Sequence, residues 1–250
     1  MQRDYAYTVS RKASLLQSAS AVGIEAAKAT VDRLGARKIN TANVPVLLHR
    51  DIASSLFGHY VGAISGGSLY RRSSFLLDSL GKQVFPEWLN IEERPFIKGG
   101  LASSSFDNEG VACSDMTIVD GGKLATYLYT TYSSRKLNTR SNGHAGGIHN
   151  WLVGDTGHSD ADLLKEMGTG LFVTELMGQG VNGVTGDYSR GAAGYWVENG
   201  IIQYPVHEVT IAGNLKDMFK GIVAIGAEKD VRGSVQTGSV LIDQMKIAGS

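Results

Sequence analysis

The dipeptide Asn199-Gly200 constrains the fold more than any other feature of this chain. It joins Tyr195–Glu198 to Ile201–Ile211, within which Val206–Ile211 alternates apolar and polar side chains. A two-residue hairpin turn needs positive φ at both central positions, and Asn and Gly adopt it at least cost. The sequence therefore predicts a hairpin here. A second is expected at Asp120-Gly121-Gly122, between Met116–Val119 and Leu124–Tyr132, where Leu124, Thr126, Leu128, Thr130 and Tyr132 fall on one strand face. Glycine makes up 32 of 250 residues and proline only 4. Glycine without proline points to tight turns and close backbone contacts rather than to flexible linkers.

Helical periodicity comes early. Within residues 14–35, Ile24, Ala27, Val31 and Leu34 recur at spacings of three and four, and Gly35 is a suitable stop. Residues 44–48 are a short apolar strand or a lead into the next helix. Over residues 50–64, Ile52, Leu56, Tyr60 and Ala63 share one helix face, and Ser54, Gly58, Gly62 and Ser65 make a small face that another backbone can approach closely. Ser159, with Asp162 three residues on, opens a short helix that runs through Met167 and stops at Gly168. Leu171–Met177 reads as a strand. Asn214 can cap a helix carrying Leu215, Met218, Phe219 and Ile222, and residues 239–248 supply one or two strands. Helices early and hairpins late give an α+β class, with antiparallel hairpins forming a large mixed sheet or a barrel-like domain over residues 1–250.

Lys+Arg and Asp+Glu both number 24, so the formal net charge is zero. That speaks against a nucleic-acid partner, whose binding rests on phosphate neutralisation. No apolar run approaches the roughly 20 residues that cross a bilayer, and the N-terminus has no apolar signal core. Cys113 is the single cysteine. It excludes an internal disulfide and a cysteine-only zinc site, fits a reducing compartment, and sits in a β-like segment where burial is expected. A soluble cytoplasmic protein without membrane or nucleic-acid contacts is the expectation.

The familiar catalytic signatures are missing. His207-Glu208 is the sole His-Glu pair, no second histidine follows at helical spacing, and the segment alternates like a strand. His49 and His59 would stand about 80° apart around a helix, too far to chelate together. His59 falls on the face of Ile52 and Leu56 and is expected as a hydrogen-bonded core histidine. Gly178-Gln-Gly180-Val-Asn-Gly183 follows a strand but no helix follows it, so a pyrophosphate has no seat. Two loops remain. His144 and His149 lie in Gly143–Trp151, with His158 further on, as a polar groove lining or a metal site. Asp187 and Arg190 either close a turn as an ion pair or face a peptide.

Five segments together, Phe57–Gly66 (FGHYVGAISG), Gly143–Trp151 (GHAGGIHNW), Met177–Gly183 (MGQGVNG), Thr185–Gly194 (TGDYSRGAAG) and Ile211–Asp217 (IAGNLKD), resemble the TldD/PmbA family and, within it, the PmbA (TldE) branch. The resemblance runs from Arg3 to Gly249. It implies the C-terminal part of a longer protein whose N-terminal α/β domain lies before Met1. It also implies a cytosolic heteromeric zinc peptidase that trims unfolded or modified peptides, such as microcin precursors and antitoxins. In the TldD branch the zinc is held by a His-Glu-x-x-x-His helix and a later cysteine. Residues 50–64 lack that motif, and Thr237-Gly238 stands near the cysteine's position, so no metal ligand carries over. The implied role is a non-catalytic subunit, without metal of its own, in a homo- or heterodimer whose TldD-type partner holds the zinc. His144, His149, Asn150, Tyr188 and Arg190 are then candidates to line a groove for peptide substrates, bound by strand addition. Two other readings stand beside it: a metallopeptidase in its own right with metal on His144, His149 and His158, or a gyrase-binding regulator, after the family's older name.

Overall fold

A computed structural model describes residues 1–249. An extended segment reaches Ser10, and a 3-10 turn at Ala13–Leu15 follows. Then come α1 (Ala19–Asp32), β1 (Ala42–Leu48), α2 (Arg50–Ile64), α3 (Gly66–Tyr70), β2 (Ile91–Glu93), β3 (Met116–Asp120) and β4 (Lys123–Leu124). The chain continues with α4 (Thr131–Lys136), β5 (Trp151–Val153), α5 (Asp160–Met167), β6 (Gly170–Met177), β7 (Asp187–Glu198), β8 (Ile201–Asn214), α6 (Leu215–Lys220), β9 (Ile222–Ile225), β10 (Val235–Gln236) and β11 (Val240–Ala248).

Five of these strands close a ring. β1 pairs parallel with β6 and antiparallel with β11, and the antiparallel pairs β6–β7, β7–β8 and β8–β11 complete the circuit. β9 adds to β11 outside it. The expected mixed, barrel-like sheet is thus present. The β7–β8 hairpin drives it: Asn199 and Gly200 take φ of 52° and 75°, as a tight two-residue turn requires. Where β6 and β7 shift register, a Cβ on Gly194 would lie 1.9 Å from the Phe172 carbonyl oxygen, so only glycine lets the strands approach. The second sheet has the order β10-β5-β2-β3-β4.

α2 packs against both sheets. Leu56, Phe57, Tyr60 and Ile64 are buried in the main core, each contributing on the order of 1.5–3 kcal/mol. Tyr60 lies at the centre of an aromatic group, with ring centroids 4.9 Å from Phe85, 5.7 Å from Phe219 and 6.0 Å from Trp151. β1 serves two cores. Val46 and Leu48 face the main one, and Leu47 faces a smaller cluster with Leu163 and Met167 of α5. Ser159 caps α5 in a reciprocal capping box with Asp162, and Gly168 stops it at φ 67°, as its sequence predicts.

Three expectations are corrected. The helix expected over 14–35 spans only Ala19–Asp32, and its apolar face points outward: Ile24, Val31 and Leu34 are exposed. The helix leans on the body through Val22, Ala26, Ala29, Thr30 and Arg33 instead. The strand expected over Leu124–Tyr132 ends at Leu124, because Thr130 and Ser133 form a capping box that starts α4. His59 is half-buried beside Tyr188, edge to face at 5.9 Å, and its Nε2 atom is buried without a hydrogen-bond partner. No helix among the described residues is long and apolar enough to cross a membrane.

Candidate functional site

α2 starts where its first turn can be capped: His49 Nδ1 accepts from the Asp51 N–H (3.4 Å) and Ser239 Oγ from the Arg50 N–H (3.1 Å). Its N-terminal half forms one wall of a cleft of about 620 Å³. Asp51, Ile52, Ser54 and Ser55 line that wall, Thr174, Glu175 and Leu176 of β6 and Arg190 of β7 line the floor, and Arg33 and Glu25 reach in from α1. The remaining wall is the extended segment Arg3–Tyr7, whose residues alternate in exposure like a strand. Arginines hold that segment where a neighbouring strand otherwise would. Arg33 donates to the Arg3 carbonyl (3.0 Å) and pairs with Asp4 (3.2 Å) and Glu175. Arg232 pairs with Asp51, donates to the Tyr7 carbonyl (3.4 Å) and lies over the Tyr7 ring at 4.5 Å.

Arg190 is the sequence-singled residue that opens on this cleft. It forms no ion pair with Asp187; its Nε donates to the Gly178 carbonyl (3.1 Å). Asp187 instead accepts from Thr185 Oγ1 (2.6 Å) and Asn214 Nδ2 (3.2 Å). Tyr188 is buried behind Arg190, against His59. Burial, and then the Arg190 charge, keep His59 below the ordinary histidine range.

His144, His149 and Asn150 lie elsewhere, in a buried network that the second sheet assembles. The five candidates therefore do not line one groove. Glu93, at the end of β2 and almost inaccessible, receives Trp151 Nε1 (2.6 Å), His149 Nδ1 (3.1 Å) and His144 Nε2 (3.1 Å). Burial alone would raise the Glu93 carboxyl; the His144 hydrogen bond and charge, then the His149 and Trp151 donors, outweigh it and hold Glu93 below its ordinary value. Asn142 fixes the state of His144. Its Nδ2 donates to the Tyr127 carbonyl (2.8 Å) and its Oδ1 accepts from the Tyr129 N–H (2.7 Å), so Oδ1 faces His144 Nδ1 at 2.9 Å. Both ring nitrogens of His144 are thus taken up inside the network, Nε2 by Glu93 and Nδ1 by Asn142. His149, donating from Nδ1, presents Nε2 to the Cys113 thiol at 3.5 Å. Burial raises the Cys113 thiol, with Asp107 and Glu93 adding to it, so this thiol is a poor nucleophile. Asn150 is fully buried. Its amide donates to the Arg94 carbonyl (2.9 Å) and Ser103 Oγ (2.8 Å) and accepts from the Ala102 N–H (3.1 Å), which leaves nothing for a peptide.

The donor set does not fit a zinc ion. His144 and His149 both turn to Glu93, and His158 lies apart, on Thr156 Oγ1 (2.7 Å) and Glu166 (3.7 Å). Among the described residues no group of three or more His, Cys, Asp or Glu side chains could hold a metal. Sequence reasoning missed Glu93, Arg33, Glu175 and Arg232, which act through partners remote in the chain, although Arg232 also pairs with nearby Asp230 (2.8 Å).

Residues 41–249 match the model of the PmbA/TldA metallopeptidase C-terminal domain. The Metalloprotease PmbA of Escherichia coli O157:H7 is 58% identical over 249 residues, covering all of this chain and 55% of that protein. The chain thus spans about half the length of the relatives it matches. A Bacteroides thetaiotaomicron crystal structure, described as a candidate modulator of DNA gyrase, superposes with a TM-score of 0.91 at 26% identity over 96% of this chain and 55% of that one. TldE from Thermococcus kodakarensis gives 0.81 at 20% identity over 92% of this chain and 55% of that one, a likeness of fold. The motifs, the closed five-stranded ring and the family match agree, and the chain belongs to the PmbA/TldD family.

Proposed function

We propose that this chain is a PmbA (TldE)-type subunit of a cytoplasmic zinc peptidase that trims unfolded or modified peptides, and that the zinc and the bond-breaking step belong to a TldD-type partner. The observation that carries this reading is the closure of the histidine network. Glu93, Asn142 and Cys113 take up the ring nitrogens of His144 and His149, which supports a role without metal on these loops. The chain's own contribution is physical. The cleft beside α2 is partly polar and walled by an extended segment, which suits an extended peptide added alongside it. Arg190, with no carboxylate partner, offers a guanidinium to a peptide carbonyl or carboxylate there. Tyr188 and His59 stiffen Arg190 from behind, and His144, His149 and Asn150 fix the loops of the second sheet.

The test is peptide processing by the reconstituted pair. Arg190→Ala in this subunit should lower kcat/KM about tenfold or more, the worth of one charge-assisted hydrogen bond, with subunit pairing unchanged. Unchanged kcat/KM contradicts the assignment of the cleft. The name borne by the Bacteroides neighbour supports a second reading, in which the chain binds gyrase. Capture of gyrase by this chain without a TldD-type partner would favour it.

A further inference from the structure

A second surface stands at the opposite end of α2 from the cleft, where α3 and α4 meet. The two short helices are seated tightly. The Gly66 N–H donates to the Leu128 carbonyl (2.6 Å), and a Cβ on Gly66 would fall 2.4 Å from Ser133 Oγ, itself locked in the α4 capping box. This seating sets Tyr70 against Tyr132, edge to face, with ring centroids 5.6 Å apart. A cation covers each ring: the Arg71 guanidinium lies 5.3 Å from the Tyr70 centroid and the Lys136 ammonium 5.6 Å from that of Tyr132. Arg71, Tyr70, Tyr132 and Lys136 thus form one continuous stripe, flanked by exposed Arg72 and Arg135.

The stripe's cations lack counter-charges. Some lysines elsewhere sit on acids, as Lys28 does on Asp32 and Lys165 on Asp162. Among the described residues no carboxylate stands within 4.0 Å of Arg71, Arg72, Arg135 or Lys136. The acid that touches α4 is Glu109, which accepts from the Thr131 N–H (2.7 Å) at the other end of that helix from Lys136, about 7.5 Å away along its axis. In a chain of zero net charge this is a local excess of four cations, two of them held in place by aromatic rings, so less side-chain freedom is lost when a ligand binds.

We propose that this stripe docks an acidic polypeptide segment. The covered rings decide between polyanions. Single-stranded nucleic acid stacks its bases on open aromatic faces, and Arg71 and Lys136 each cover one face of Tyr70 and Tyr132. Carboxylate side chains need only the cations. The inference stands on the stripe and does not depend on the peptidase reading, since binding is read without any processing assay.

The test is fluorescence anisotropy of the 250-residue chain with labelled poly-glutamate, a neutral Gly/Ser peptide and oligothymidine of equal charge. Poly-glutamate should bind in preference to both and weaken as salt is added. Arg71→Glu with Lys136→Glu should weaken it about tenfold or more, the sum of two lost and reversed surface pairs. Arg71→Lys with Lys136→Arg should retain it. If circular dichroism shows that the reversed pair unfolds the chain, Arg71→Gln with Lys136→Gln replaces it, with a smaller loss expected. Equal binding by the charge-altered and parent chains, equal binding of the neutral peptide, or tighter binding of oligothymidine would each overturn the proposal.

Discussion

Glu93 gathers His144, His149 and Trp151 on one buried carboxylate. Replacing it by Gln keeps the shape but removes the negative charge and turns an amide N–H₂ toward donors. Breaking one side of a buried pair costs about 3–5 kcal/mol, so Glu93→Gln should lose that much in urea denaturation. A loss below about 1 kcal/mol would show that the network is not charged. Cys113 offers a second check at this scale. Buried and with a raised thiol, it should resist iodoacetamide in the folded chain and react once the chain is unfolded. His144 and His149 stood out in the sequence because a glycine-rich run carries few side chains. Glu93 did not, since nothing local in Ile91–Glu93 tells that residues 144, 149 and 151 will converge on it. The Asp187–Arg190 pair looked plausible from spacing alone, but Thr185 and Asn214 supply Asp187 with nearer hydrogen bonds.

Legible elements were α2 by its periodicity, α5 by its capping box, the β7–β8 hairpin, and α6 behind Asn214, although α6 stops at Lys220 and the expected helical Ile222 opens β9 instead. The strand expected over Leu124–Tyr132 failed because period-two alternation competed with a cap at Thr130, a signal also present in the sequence. Ser159→Ala should cost about 1 kcal/mol, the usual worth of an N-cap, read as a lowered Tm. α1 behaves oppositely. Its apolar residues are uncovered, so Ile24→Ser with Val31→Ser should shift stability by no more than about 0.5 kcal/mol per site. A larger loss would mean that this face packs against the body. Gly122 tests the smaller sheet: φ is 74°, and a Cβ would lie 2.3 Å from the Phe85 carbonyl oxygen and 2.4 Å from that of Pro86. Gly122→Ala should therefore destabilise by at least the roughly 1–3 kcal/mol of such backbone strain.

At the scale of the whole molecule, the α+β class was legible but ring closure was not, because β1 finds its partners far along the chain, in β6 and β11. The cleft was hidden for the same reason: its arginines and acids come from the N-terminal segment, α1, α2, β6, β7 and the loop before β10. Titration should expose the buried groups collectively. Burial first of all keeps His49 and His59 below the ordinary 6.5, so the stability they contribute is complete above that pH and falls as pH drops below it. Glu93, held below its ordinary 4.5, adds a further loss as pH falls below that value. Unfolding free energy should thus decline from about pH 6.5 and steepen below about pH 4.5; a flat profile between pH 7 and 5 would contradict the burial of the two histidines. The central claim is that this chain supplies shape and its partner supplies metal. Elemental analysis tests it most directly, on the purified chain alone and on the chain co-purified with a TldD-type subunit. The account predicts no stoichiometric zinc in the chain alone and about one zinc per pair, whereas one zinc in the chain alone, lost in His149→Ala, would contradict it.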